Sequence, residues 1–340
     1  MLTIRGTSFV AAIAMGVAVA APPSLAQAQQ NFPTKPIRFI VGLAPGGAQD
    51  TTARAIAQKL SETWGRQIIV DNRTGAAGAI AVELTAKAAP DGYTICLIRA
   101  GATVNAAVNP KLPYDLTQDL AAVSQASSLF YVLVHSPSVP VKSIKELIAY
   151  AKANPGKLNY GVPGTGSLLH FAVEMFSHMT GAKLAHVPYK GGTAAIAALL
   201  AGEVQLGMVT LTAIRPLMAS GRLRLLAITA KQRSPSVPEL PTIAEAGVPG
   251  YEVDGWYGVV TGAKVSPAII RKLNAGITEA LKSPDVVQRL AADGSTPVGS
   301  SPEEFGAKIK SEIGRWGRLV KEAGLMRWGL TLLDSASAVT

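Results

Sequence analysis

Cysteine is almost missing from this chain: Cys96 stands alone in 340 residues. One thiol can form neither an internal disulfide nor a cysteine metal cage. Set inside the apolar run "YTICLI", it reads as a buried, inert thiol rather than a nucleophile. Histidine is nearly as scarce, and His170, His178 and His186 are spaced too widely, with no acidic cluster nearby, to form a metal set. The catalytic signatures G-x-S-x-G, S-x-x-K and H-E-x-x-H are absent, and so is the dinucleotide pattern G-x-G-x-x-G. No cofactor is therefore expected. Lys+Arg outnumber Asp+Glu by 32 to 22, a formal charge of +10, yet no basic block or Lys/Arg stripe with interleaved aromatics appears. No helix-turn-helix pattern stands at either end. The charge is spread, which argues against nucleic acid and suits anionic small molecules.

Long apolar runs are confined to the first residues. "MLTIRGTSFVAAIAMGVAVAAPPSLAQAQQ" carries Arg5, then an apolar stretch broken by Pro22 and Pro23, then small residues around Ala26-Gln27-Ala28. This is the layout of a secretory signal peptide, placed at 1–28, and it implies export to the periplasm. Loss of Arg5 leaves 10 − 1 = +9 on the mature chain. No later segment is long and apolar enough to span a bilayer.

Hydrophobic residues make up 48% of the chain, enough to exclude disorder and to build more than one core. Strands are predicted at 37–43, 67–71, 93–98, 130–135, 204–210, 223–229 and 255–261. Between them, helical faces repeat at 3.6 residues: Ala53, Ile56, Ala57, Leu60, Trp64; then Ile144, Leu147, Ile148, Ala151. A wider stripe runs through Leu168, Phe171, Ala172, Met175, Phe176 and Met179, and a last one through Phe305, Ile309, Ile313, Trp316 and Val320. Alternation of strand and helix predicts an α/β fold with mostly parallel sheets. Pro/Ser-rich connectors near 130 and 255 predict a first domain of 29–130 plus 256–340, a second of 131–255, and a hinge of two crossover segments.

Three strand-to-helix loops are rich in glycine. "GLAPGGAQDTTARAIAQKL" (42–60) puts Gly46 and Gly47 before a helix whose free amides and dipole attract an anion. It lacks the GK[ST] of a phosphate-binding loop, so nucleotide binding is not expected. Asp50 could cap this helix or meet a ligand. "NYGVPGTGSLLHF" (159–171) and "HVPYKGGTAAIAALLAGEVQ" (186–205) repeat the arrangement. His170 could donate to a ligand or serve as a structural histidine. Ser167 and His170, three apart, leave open a hydrolase reading.

Several segments, in order, resemble the Bug receptors, the extracytoplasmic binding proteins of tripartite tricarboxylate transporters. They include "APGGAQDTTARAIAQKL", "VDNRTGAAGAIAVELTAKAAPDGYTI", "GKLNYGVPGTGSLLHFAVEMF", "HVPYKGGTAAIAALLAGEVQ" and "PTIAEAGVPGYEVDGWYGV". The resemblance runs from Phe32 to the C-terminus. It implies a two-lobe periplasmic-binding-protein fold of the type II class that closes on a small carboxylate and delivers it to a membrane permease. It implies a non-enzymatic protein, monomeric, with no metal or cofactor. One side of the site would be Gly46, Gly47, Ala48 and Asp50. The other would be Gly164, Thr165, Gly166, Ser167 and His170, with Tyr189, Lys190 and Gly191. A sensor that reports occupancy to a membrane signalling partner is the alternative role. The chain departs from the family pattern at Gln205 and Thr210, where acidic residues are usual, and at Arg99, where a small or hydroxyl residue is. Arg99 either faces the cleft, where it can pair with a carboxylate, or faces solvent.

Overall fold

The computed structural model describes residues 32–292 and 294–324; the signal-peptide assignment lies outside them. The first sheet collects β1 (Ile37–Val41), β2 (Ile68–Asn72), β3 (Thr94–Arg99), β4 (Leu120–Leu129), β10 (Gly255–Gly262) and β11 (Ser295–Pro297). The second collects β5 (Tyr131–His135), β6 (Asn159–Val162), β7 (Ala185–Pro188), β8 (Leu206–Thr210) and β9 (Arg224–Ile228). Their orders are β11-β4-β10-β3-β1-β2 and β7-β6-β8-β5-β9. In sequence order the helices are α1 (Ala48–Trp64), α2 (Ala79–Ala86), α3 (Gly101–Val108), α4 (Ile144–Ala153), α5 (Leu168–Thr180), α6 (Gly192–Ala201), α7 (Leu211–Ile214), α8 (Pro267–Leu281), α9 (Pro284–Ala292) and α10 (Pro302–Glu322).

The expectation of mostly parallel sheets needs correcting, because both sheets are mixed. β1 runs parallel to β2 and β3, but β10 is antiparallel to β3 and β4. β6 runs parallel to β7 and β8, but β5 is antiparallel to β8 and β9. The crossovers are the reason. Only Phe130 separates the end of β4 from the start of β5. β5 therefore enters its sheet at the crossover and runs away from it, opposite to β8. β10 enters the first sheet the same way on the return. The register follows: Tyr131 lies opposite Thr210, Gly255 opposite Leu129, and Tyr257 opposite Arg99. The carboxyl ends of β1 and β3 in one lobe, and of β6 and β8 in the other, thus lie at the crossover end of their sheets.

β4 was not among the predicted strands. Its sequence, LAAVSQASSL, has small and polar residues where a β pattern shows large apolar ones. It lies between β10 and β11, packed under α8 and α10, where small side chains let the helices approach.

The helices follow their sequence signals. α10 opens on Ser301 with a capping box to Glu304 and Pro302 in its first turn, and buries Phe305, Ile309, Trp316 and Val320. α5 is capped by Ser167 and closed by Gly181 in the left-handed region; it buries Leu168, His170, Phe171, Ala172, Val173, Met175 and Phe176, while Met179 is exposed. The core is continuous between lobes near the crossover. Phe171 of α5 meets Trp316 of α10 with ring centroids 6.3 Å apart, and Trp256 packs edge-on against Phe305 at 5.2 Å. β10 passes so close to Phe305 that a Cβ at Gly258 would sit 2.1 Å from its ring. Cys96 is fully buried and its thiol is pushed up to about 12 by desolvation, so it is inert as expected.

Candidate functional site

In the first lobe the loop between β1 and α1 is shaped by Asp50. One carboxylate oxygen accepts the Gly46 amide (3.0 Å) and Arg54 Nε (2.8 Å); the other accepts Asn72 Nδ2 (2.9 Å). Asn72 also donates to the Leu43 carbonyl at 2.9 Å, tying β2 to the loop. Asp50 is 2% exposed. Burial alone would raise its pKa, but the bonds from Arg54, Gly46 and Asn72 outweigh that and hold it below the usual carboxylate value. Its oxygens are taken up by the loop itself. Asp50 therefore shapes the loop, and the first-turn amides of α1 are left without a side-chain cap. The N-cap is Gly47, which has no side chain to cover them.

A second loop stands beside the first. Gly75, Ala76, Ala77 and Gly78 all have positive φ, at 128°, 44°, 56° and 99°, a left-handed turn closed by a 2.8 Å bond from Gly78 N to Gly75 O. Two alanines in this region cost about 1–2 kcal/mol each, and strain of this kind concentrates at functional sites. A Cβ on Gly42 would come within 2.8 Å of Gly78 Cα, so the two loops touch backbone to backbone. Arg99, at the end of β3, donates weakly from Nη2 to the Ala77 carbonyl at 3.4 Å. It is half-buried and makes no ion pair among the described residues. The structure thus sets Arg99 against the glycine loops of its own lobe.

In the second lobe the loop after β6 is tied in the same manner. Gly164 and Gly166 have positive φ. The Gly166 amide donates to His170 Nδ1 at 3.1 Å, and the Ser167 hydroxyl accepts the His170 amide at 3.2 Å. His170 is fully buried; desolvation, with the neighbouring His186, pushes its pKa down to about 3, so the ring is neutral. Its ring lies 4.3 Å from that of His186, whose Nε2 is 3.5 Å from Thr165 Oγ1. Tyr160 donates to Glu174 beneath them. These contacts engage both His170 and Ser167 within the loop and the helix head. The Ser167 hydroxyl caps the helix, and His170 Nδ1 is taken by a backbone amide.

The remaining residues are spread over neighbouring strand ends. Tyr189 donates its amide to Val162 O at 2.9 Å and its hydroxyl to Glu203 at 3.4 Å. Lys190 is exposed, and Gly191, with φ of 96°, is the N-cap of α6 and leaves that helix head open. Thr210 ends β8 opposite Tyr131, with Thr212 Oγ1 donating to it at 3.3 Å. Gln205 is elsewhere. It sits just before the start of β8, accepting the Asn159 amide at 3.0 Å, at the end of the sheet away from the crossover. Among the described residues no group of three or more His, Cys, Asp or Glu could hold a metal, and no helix is long and apolar enough to cross a membrane.

The family model for the tripartite tricarboxylate transporter family receptor matches residues 52–325. The chain belongs to this family. The family is one of periplasmic solute-binding receptors. Protein BugT of Bordetella pertussis is 38% identical over 308 residues, covering 90% of this chain and 93% of that one. The solved structure of R. palustris Rpa4515 with adipate is similar at 37% identity and a TM-score of 0.74, covering 86% of this chain and 98% of that one. MatC from Rhodopseudomonas palustris with bound malate is similar at 30% identity and a TM-score of 0.71, covering 85% and 100%.

Three features of these loops and strand ends are not legible in the sequence: the role of Asn72 in holding Asp50, the left-handed turn 75–78, and the pairing of Tyr131 with Thr210 at the crossover. The run "TGAAG" (74–78) was the available signal for the turn, since glycines flanking small residues permit positive φ.

Proposed function

We propose that the receptor captures a small organic acid between its lobes in the periplasm, as a monomer, and presents the closed form to a permease of the tripartite tricarboxylate type. Residues 29–130 with 256–340 would form one jaw and 131–255 the other, after removal of residues 1–28. The observation that carries this reading is the direction of the strands. The crossover sets the carboxyl ends of β1 and β3, and of β6, β7 and β8, at the crossover end of their sheets, and the two helices with glycine N-caps, α1 after β1 and α6 after β7, start there. Open α/β sheets bind ligands at such ends. The first-turn amides of α1 and α6, with Thr165, Thr210 and Arg99, supply partial and full positive charge and hydroxyls suited to a carboxylate. A ligand that touches both jaws stabilises their closure. The test is a thermal-shift screen of the purified receptor with di- and tricarboxylates and aromatic acids, followed by small-angle scattering on any hit. A raised melting temperature with a smaller radius of gyration is expected; no shift across the panel overturns the reading.

A further inference from the structure

Gln49, the second residue of α1, is 3% exposed. Its Nε2 donates to the Leu97 carbonyl of β3, which fixes the sense of the amide, because the flipped form would set two oxygens against each other. Oε1 is then buried with no donor among the described residues. A buried acceptor without a donor is costly to maintain. Beside it lies a cavity of about 20 Å³, lined by Gln49, Gly42, Gly78, Arg99 and Asn105 and partly open at the surface. That is room for one water-sized group. Leu97 and Arg99 are two residues apart on β3, about 6.6 Å along the strand. Gln49 and Arg99 thus border one small space.

We propose that this cavity is a specificity subsite for a hydroxyl group on the carbon next to a ligand carboxylate, with Arg99 taking the carboxylate and Gln49 Oε1 accepting the hydroxyl proton. The proposal rests on the capture reading above and narrows it to 2-hydroxy acids. A plain acid leaves Gln49 without its donor. An amino acid brings an ammonium group close to Arg99, and the two cations repel. A site built to bond a hydroxyl rejects the analogue that lacks it, since the buried acceptor stays unmet.

The test is calorimetric titration of the receptor purified from the periplasm with matched acids: lactate against propionate, malate against succinate, and 2-hydroxyadipate against adipate. Aspartate serves as the amino counterpart. In the pair that fits the cleft, the hydroxy acid should bind about tenfold tighter than its plain partner, and malate well above aspartate. Gln49→Leu should bring the hydroxy acid down to the level of its plain partner, whereas Arg99→Gln should weaken both members of the pair equally. Should Gln49→Leu fail to fold, Ala102→Leu fills the same cavity without touching the bond to Leu97, and the same loss is expected. Equal binding of the two members, or equal loss of both in Gln49→Leu, overturns the proposal. If other anions bind and none of these pairs does, the subsite is wrong and the capture reading stands. If no anion binds, both fall.

Discussion

The two lobes solve one problem with different chemistry. In each, a glycine amide just before a helix is donated to a side chain four residues on: Gly46 to Asp50 in the first lobe, Gly166 to His170 in the second. Both clamps hold the loop back from the helix head, which is left uncapped by a side chain in α1 and is capped by Ser167 in α5. The first clamp is an ionised carboxylate, compensated by Arg54 and Asn72 near the surface. The second is a neutral, fully buried imidazole packed against His186 and Phe171. The ionised clamp tolerates its burial because its charge is paired with Arg54, whose own side chain reaches the surface. A neutral one needs burial to stay neutral, and so adds its volume to the core. Neither presents an uncompensated negative charge to an anionic ligand.

The comparison can be broken first by truncation. His170→Ala leaves a hole in the core and should cost about 3 kcal/mol, more than Asp50→Ala, which removes charged hydrogen bonds worth about 2 kcal/mol. Urea unfolding of both variants checks the order. Acid should then separate the clamps. The folded His170 pKa of about 3 lies below the ordinary 6.5, so the unfolded chain binds more protons between those values and stability falls as pH drops through that window. From His170 alone the slope reaches about 1.4 kcal/mol per pH unit. His135 and His186, also depressed by burial, add to it. Asp50, depressed below the carboxylate value, keeps its contribution until pH falls below about 4. Stability measured from pH 7 to 5 should therefore be flatter in His170→Asn and unchanged in slope in Asp50→Asn. The smallest effect sharpens the picture of the neighbouring turn. Ala77→Gly relieves a left-handed alanine at some cost in chain entropy, for a net gain of about 0.5 kcal/mol, readable as a raised urea midpoint.

Much of the fold was legible because its signals are local. The period of Phe305, Ile309 and Trp316 and the capping residues of α5 and α10 each act over a few residues. β4 was not, since burial between neighbours, not its own side chains, makes it a strand. At the site, the glycines announced the loops, but nothing in the spacing of His170 and His186 revealed that their rings meet. Asp50 and Asn72, 22 residues apart, likewise meet only when β1 and β2 pair.

The sequence by itself determined the alternating α/β architecture, the glycine-led helix heads and the family, because periodicity, turn chemistry and motif order are properties of neighbouring residues. Tertiary structure alone decided which strands run antiparallel, that Asp50 and His170 serve the loops, that Gln205 lies away from the crossover, and that Gln49 and Arg99 border one cavity. Those facts depend on long-range pairing, where the direction in which a chain re-enters a sheet fixes which side chains share a space.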